Sequence, residues 1–331
     1  MSLIPELAGR RLVVAGDLVL DRFVYGHPKR VSREAPVLIL RYSREENLPG
    51  GAGNAAANVR SLGGVPVPVG ATGADDSGRA IREAFRARGI ESEALLEIPS
   101  YRTPTKTRIL GGAPHSIKQQ IVRYDVEDTL PEGDELRSAL RKSWTETARG
   151  ADGAIVSDYG YGAVSPDAVA SLRAALPSGA RICVDSRHRM ALYSGVDAAT
   201  PNEEELDEIA GSPVSESDES LARAGEALRE RMRCESLLVT RGSRGMALFT
   251  GSGAPAFIPV HGTDQVADVT GAGDTVLAAF ALASSAGATP IEAALLANFA
   301  GGVAVMKMGT TAVTADELAA AVEADRLLLL R

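Results

Sequence analysis

Across the second half of the chain, short apolar runs alternate with helix-length segments, and that rhythm constrains the fold more than any single motif. Strands are expected at 153–156, 181–184, 236–239 and 246–249. Around them the spacing predicts helices at 135–148, 166–175, 202–210, 217–233, 272–286, 290–306 and 314–326. Runs this short and this uniformly apolar are buried on both faces, which demands helices on both sides of a doubly wound, mostly parallel α/β sheet. The first half joins the scheme through strands at 11–17 and 65–69 and helices at 55–62 and 81–88, with 18–21 continuing the first strand. Two polar, strand-like stretches, about 22–48 and 101–127, do not fit and read as a small β lid projecting from the body. No repeat, low-complexity tract or linker divides residues 1–331, so one domain is expected.

Bulk properties exclude several classes. A chain that is 45% hydrophobic and 24% charged can fill a large core. A net charge of −8, with no long Lys/Arg run, argues against a nucleic-acid partner. Cys183 and Cys234 lie in strand-like surroundings without a CxxC pair, as buried free thiols in a reducing cytoplasm would. The first residues carry no signal peptide. The longest apolar region, 276–306, is broken by Ser284, Ser285, Gly287, Pro290 and Glu292 into two core-facing helices rather than a membrane span. A cytoplasmic location with no membrane partner is therefore expected.

The stretch richest in chemistry is Asp268-Val269-Thr270-Gly271-Ala272-Gly273-Asp274-Thr275. Small residues lead into the first turn of a helix and leave its N–H groups open to an anion. A carboxylate in that turn, Asp274, would repel a phosphate. Either it merely suits the helix dipole, or it takes a proton from a hydroxyl while neighbouring N–H groups steady a phosphoryl group in transfer.

Other loops are ambiguous on their residues alone. Thr240-Arg241-Gly242-Ser243-Arg244-Gly245 follows an expected strand, where open α/β sheets bind ligands, and reads equally as a nucleotide loop or a hairpin turn. Asn202 and Glu205 form a capping box, the favoured reading, or Glu205 holds water around Mg²⁺. Asp185-Ser186-Arg187 reads as a strand-exit turn or a phosphate contact. No GxxxxGK[ST], HExxH or GxSxG is present. Residues 51–56 match GxGxxA, but no buried strand precedes them, so a nicotinamide-dependent oxidoreductase is a weak alternative. His27, His115, His188 and His261 follow no ligand spacing, and Trp144 reads as core.

Gly50-Gly51-x-x-Asn54, Asn202-x-x-Glu205, Thr240-x-Gly242-x-x-Gly245 and the 268–275 stretch occur in the order found in the ribokinase-like (PfkB) sugar kinases, which the chain resembles from about 11 to 314. Gly16-Asp17, Asp21-Arg22, residues 32–37, Thr105-Lys106-Thr107-Arg108, Gln119-Gln120-x-x-Arg123 and Ser157-Asp158-Tyr159 resemble the D-glycero-D-manno-heptose 7-phosphate kinase branch. The resemblance implies a ribokinase-like fold and ATP- and Mg²⁺-dependent transfer to the anomeric hydroxyl of that heptose phosphate, giving a 1,7-bisphosphate for surface-polysaccharide precursors. A kinase of ribose or a fructose phosphate, and a non-catalytic sugar-responsive binding protein, are the alternatives.

By the same resemblance Asp274 is the general base, with the N–H groups of Gly271, Ala272 and Gly273 as its anion hole. Asp21, Gly50, Gly51, Asn54 and Asp158 grip the sugar. Asn202, Thr240, Gly242, Gly245 and Asn298 fall at nucleotide positions, and Glu205 at the Mg²⁺ position. Asp268 and Thr270 align with a loop that binds a monovalent cation such as K⁺, and the lid with a homodimer interface. With no nucleotidyltransferase segment following, a free-standing kinase is implied. Three features depart from the heptose branch: Gly53 within Ala52-Gly53-Asn54, Tyr161 in place of Lys, and a long Gly/Pro-rich segment at 111–116. Basic residues gather in both lid stretches of this acidic chain, and Lys106 and Arg108 among them suit an anionic sugar phosphate.

Overall fold

Strand β1 (Arg11–Gly16) runs through the interior of the main sheet and divides its side chains between two cores. Leu12 and Val14 join one buried cluster, with the helices Ala52–Ser61, Ala272–Ser285 and Pro290–Val305. Val13 and Ala15 join the other, with the helices Asp134–Ala148, Pro166–Ala175 and Asp218–Met232. Such alternation is what a strand covered on both faces requires. The computed structural model describes residues 3–112, 118–214, 216–262, 268–307, 309 and 312–329. His115 and most of the Gly/Pro-rich segment lie outside them.

The remaining strands are β2 (Leu18–Val31), β3 (Leu38–Gly51), β4 (Val65–Gly73), β5 (Leu95–Ile98), β6 (Thr105–Gly111), β7 (Gln119–Val126), β8 (Gly153–Asp158), β9 (Arg181–Ser186), β10 (Ala198–Ala199), β11 (Ser236–Thr240), β12 (Met246–Phe249) and β13 (Ala256–Ile258). Among the described residues the main sheet has the order β13-β12-β11-β10-β9-β8-β1-β4-β5. It is parallel from β5 to β11, and β12 and β13 add antiparallel edges. The expected doubly wound α/β fold is therefore present. The short strands β5, β10 and β13 escape a periodicity reading because two to four residues give too little pattern.

The second sheet, in the order β3-β2-β6-β7, is the expected small β unit. One boundary is corrected. Residues 18–21 do not continue β1; the chain breaks at Asp17 and begins β2 of the small sheet. Asp21 thereby pairs with Lys106 in the β2/β6 register, and Val19 faces Gly50 across β2/β3. Helix Asp76–Ala87 also starts earlier than the apolar pattern suggests, because Asp75 caps it by accepting the Gly78 N–H at 2.7 Å.

Candidate active site

From β1 the parallel sheet extends one way through β4 to β5 and the other way through β8 to β11, so the strand order reverses between β1 and β8. The crevice at their carboxyl ends is where open α/β sheets take ligands. Asp17, just past β1 and 1% exposed, closes its floor by accepting the N–H groups of Tyr159, Tyr161 and Ala163 at 2.8, 3.1 and 2.8 Å. Burial lifts its carboxyl to about 6, against the pull of those three bonds.

Helix Ala272–Ser285 brings Asp274 to this crevice. Gly271 turns the chain into the helix with a left-handed φ of 77°, a conformation glycine adopts without penalty. Asp274 is 3% exposed. Its Oδ2 accepts from Asn54 Nδ2 at 2.9 Å and its Oδ1 from the Tyr159 hydroxyl at 3.0 Å. Burial raises its carboxyl to about 7; the two hydrogen bonds and Lys106 pull it down, and Asp21 pushes it up. A carboxyl with that value is poised to exchange a proton near neutrality. The N–H groups of Gly271 and Gly273 meet no acceptor among the described residues. That of Ala272 is turned onto the Val269 carbonyl at 3.3 Å, so two of the three expected anion-hole donors stand free.

The expected sugar-binding residues divide into two groups. Asp21 is buried and ion-paired with Arg108, and Lys106 stands beside it with its ammonium 5.2 Å from the Tyr159 ring centre. Gly50 has no room for a side chain, since a β-carbon there would stand 2.3 Å from Asp21 Oδ2. Gly51 ends β3 and leads into helix Ala52–Ser61. Asn54 reaches the base: its amide donates to Asp274 and to the Gly271 carbonyl, and its oxygen accepts from Asn58, so it orients that carboxyl. Asp158 is likewise spent elsewhere. Its oxygens take the Arg189 guanidinium, the Ser186 and Tyr193 hydroxyls and the Gly160 N–H, which locks the loop after β8. The useful member of Ser157-Asp158-Tyr159 is the tyrosine, and the signal was its place at the ligand end of a buried strand.

On the other side of Asp274 lies a cleft of about 400 Å³, lined by Thr240, Gly242, Gly245, Ala272, Gly273 and Asn298. Asn298 is fixed by donating to the Pro259 carbonyl at 2.9 Å. A larger cavity of about 480 Å³ lies against helices Asp134–Ala148 and Pro166–Ala175 and contains none of the expected site residues. Asn202 and Glu205 form the capping box of helix Glu203–Ala210, and Thr240 bonds back to Pro201, so these two loops adjoin. Glu205 caps with Oε2, yet burial holds its carboxyl up. Asp185, at the end of β9, is raised well above the usual range by burial and then by Glu205. Two half-buried carboxylates that repel one another suit a divalent cation. Among the described residues no group of three or more His, Cys, Asp or Glu could enclose a metal, so such an ion would share phosphate oxygens and water. Asp268 accepts the N–H groups of Thr270 and Gly309 at 2.9 and 3.0 Å, tying the 268–271 loop to the segment after helix Pro290–Val305.

Residues 10–317 match the pfkB family of carbohydrate kinases. The chain belongs to that family. It is a kinase acting on a sugar hydroxyl, and the ribokinase-like fold follows. Among PfkB relatives, the bifunctional protein HldE of Pelobacter propionicus is 40% identical over 323 residues, covering 97% of this chain and 65% of that protein. The chain thus spans less than two thirds of the length of that relative. Arabidopsis thaliana ribokinase, solved with ribose and ATP, superposes with a TM-score of 0.71 at 21% identity, covering 96% of this chain and 99% of that one. Escherichia coli phosphofructokinase-2, solved with potassium, gives 0.76 at 18% identity with the same coverage. No helix among the described residues is long and apolar enough to cross a membrane.

Proposed function

We propose that this PfkB kinase transfers the γ-phosphoryl of ATP to the anomeric hydroxyl of D-glycero-D-manno-heptose 7-phosphate. The observation that carries this reading is Asp274, buried and held from both sides by Asn54 and Tyr159, next to the N–H groups of Gly271 and Gly273, which meet no acceptor among the described residues. Asp274 takes the hydroxyl proton as the sugar oxygen forms its bond to the γ-phosphorus. The bond from that phosphorus to the bridging oxygen breaks, and ADP leaves with the electron pair. Reactions of this class ask for positioning and charge stabilisation, which a base and backbone donors supply. Mg²⁺ would be held near Asp185 and Glu205, where it neutralises phosphate charge. K⁺ would lie at Asp268 and Thr270.

The heptose phosphate is favoured by the Thr105–Arg108 and Gln119–Arg123 resemblances and by the likeness to HldE. We read residues 1–331 as one kinase unit acting in the cytoplasm, with the small sheet as its lid. The exposed Val31, Tyr42, Ile121 and Tyr124 on that sheet suit a homodimer contact. A coupled ADP-release screen across heptose 7-phosphate, fructose phosphates and ribose tests the substrate. A kcat/KM at least about 100-fold higher for the heptose phosphate is expected, on the order of discrimination from one lost buried polar contact. Preference for ribose would overturn the assignment, and an absence of ADP release with every sugar, together with a ligand-dependent rise in Tm, would favour a binding protein without catalysis.

A further inference from the structure

We propose that Asp17 is a positioning residue that fixes the base Asp274 in place through Tyr159. This rests on the reading of Asp274 as the base of the kinase.

Asp274 is held by two side chains from distant parts of the chain: Asn54, on helix Ala52–Ser61, and Tyr159, on the loop after β8. Both lead back to residue 17. Its carbonyl accepts the N–H of Ala52, the first residue of the Asn54 helix, at 3.0 Å. Its own N–H donates to the Ser157 carbonyl of β8, also at 3.0 Å, so the backbone here is tied on two sides. From that fixed point the carboxylate accepts the Tyr159 N–H at 2.8 Å and holds the same loop through Tyr161 and Ala163. Little room is left at this joint. A β-carbon on Gly51 would stand 2.7 Å from the Asp17 carbonyl oxygen and 3.3 Å from the Tyr159 ring, and the φ of 59° at Gly51 suits glycine.

An ionised carboxylate only accepts, so it takes three N–H donors at once, whereas an amide of the same shape has one accepting oxygen. The consequence is chemical. The Tyr159 hydroxyl favours the charged form of Asp274, so a displaced Tyr159 lets that carboxyl rise. The charge of Asp17 would act in the opposite sense: a like charge holds a carboxyl up, and removing it lets Asp274 fall. The direction of the shift therefore separates positioning from a field effect. The other charged groups that bear on these two carboxyls are Asp21 of β2, Lys106 of β6, Asp158 of β8, Asp185 of β9 and Arg189 just beyond it.

Asp17→Ala removes all three acceptor contacts, and Asp17→Asn keeps one oxygen for Tyr159. The loop retains the Gly160 N–H on Asp158 at 3.0 Å and the Leu130 N–H on the Tyr161 carbonyl at 2.8 Å, so both variants are expected to fold, which thermal unfolding checks. The readout is the acidic limb of kcat/KM against pH. With Asp17→Ala it should move up by about one pH unit, the scale of one lost hydrogen bond to the charged base, and Asp17→Asn should recover part. In a Tyr159→Phe background Asp17→Ala should move the limb no further, because the bond it disturbs is already gone. Should Asp17→Ala not fold, Gly51→Ala presses on the Tyr159 ring at the same joint, and the same upward shift, absent from the Tyr159→Phe background, is required. A limb that stays or falls, or an upward shift that persists in the Tyr159→Phe background, overturns the proposal. Normal turnover by Asp274→Asn would instead refute the base, and an NMR titration of the Asp274 carboxyl in the same variants would still decide whether Asp17 fixes it.

Discussion

Replacing Asp274 by Asn should slow catalysis severely and, at alkaline pH, make the protein more stable. Burial raises this carboxyl from 3.8 to about 7. The charged form is therefore disfavoured in the folded state, and the wild type loses stability as pH rises from the unfolded value through the folded one. At roughly 1.4 kcal/mol per pH unit the loss reaches about 4 kcal/mol by pH 8. Asn does not titrate and escapes it. An amide cannot accept from both Asn54 and Tyr159, however, which returns about 2 kcal/mol. The net gain is about 2 kcal/mol, or about 3 °C in Tm for a chain this long. The advantage should shrink below pH 7 and reverse near about pH 5. Calorimetric scans of both proteins from pH 4 to 9 measure it, and kcat should fall about 10²–10⁴-fold with ATP binding kept. A Tm difference that is negative or flat with pH would show that no strained carboxylate is buried at the helix mouth. Near-normal turnover would remove Asp274 from the chemistry.

Tyr159→Phe deletes a donor that favours the charged base, so the acidic limb of kcat/KM should move up by about one pH unit; an unmoved limb would mean the bond is not made in the working enzyme. Arg108→Ala leaves Asp21 buried without its partner and should cost about 3–5 kcal/mol in urea unfolding, with Asp21→Asn in the same chain restoring part. A loss below about 1 kcal/mol would place that pair in solvent. Gly50→Ala drives a methyl into the space of Asp21 Oδ2. KM for the sugar should rise at least about 10-fold, the scale of one disturbed polar contact, while KM for ATP holds; equal rises would point to a general collapse of the cleft.

The order of layers was written along the chain. The apolar runs at 153–156 and 181–184 became β8 and β9, and the helix expected from 272 begins at Ala272. Each of those elements is specified by side chains within one or two turns, so local pattern suffices. The 268–275 stretch carried its chemistry in the same local way: a left-handed glycine, two open N–H groups and a carboxylate within one turn. Asn54 and Asp158 show where that kind of reasoning stops. Both looked like sugar ligands, yet one is bonded to the base and the other to Arg189. Tyr159, which bonds the base from the other side, carried no periodic signal at all.

What tertiary structure alone decided is who meets whom across the cleft. Asn54 reaches Asp274 over 220 residues, Tyr159 reaches it over 115, and Arg108 reaches Asp21 over 87. The sequence by itself determined a two-core parallel sheet and a helix mouth bearing one acid. It could not determine that acid's raised pKa or the burial of Lys106 with its ammonium over the Tyr159 ring, because both follow from burial and contacts that only the folded crossovers supply.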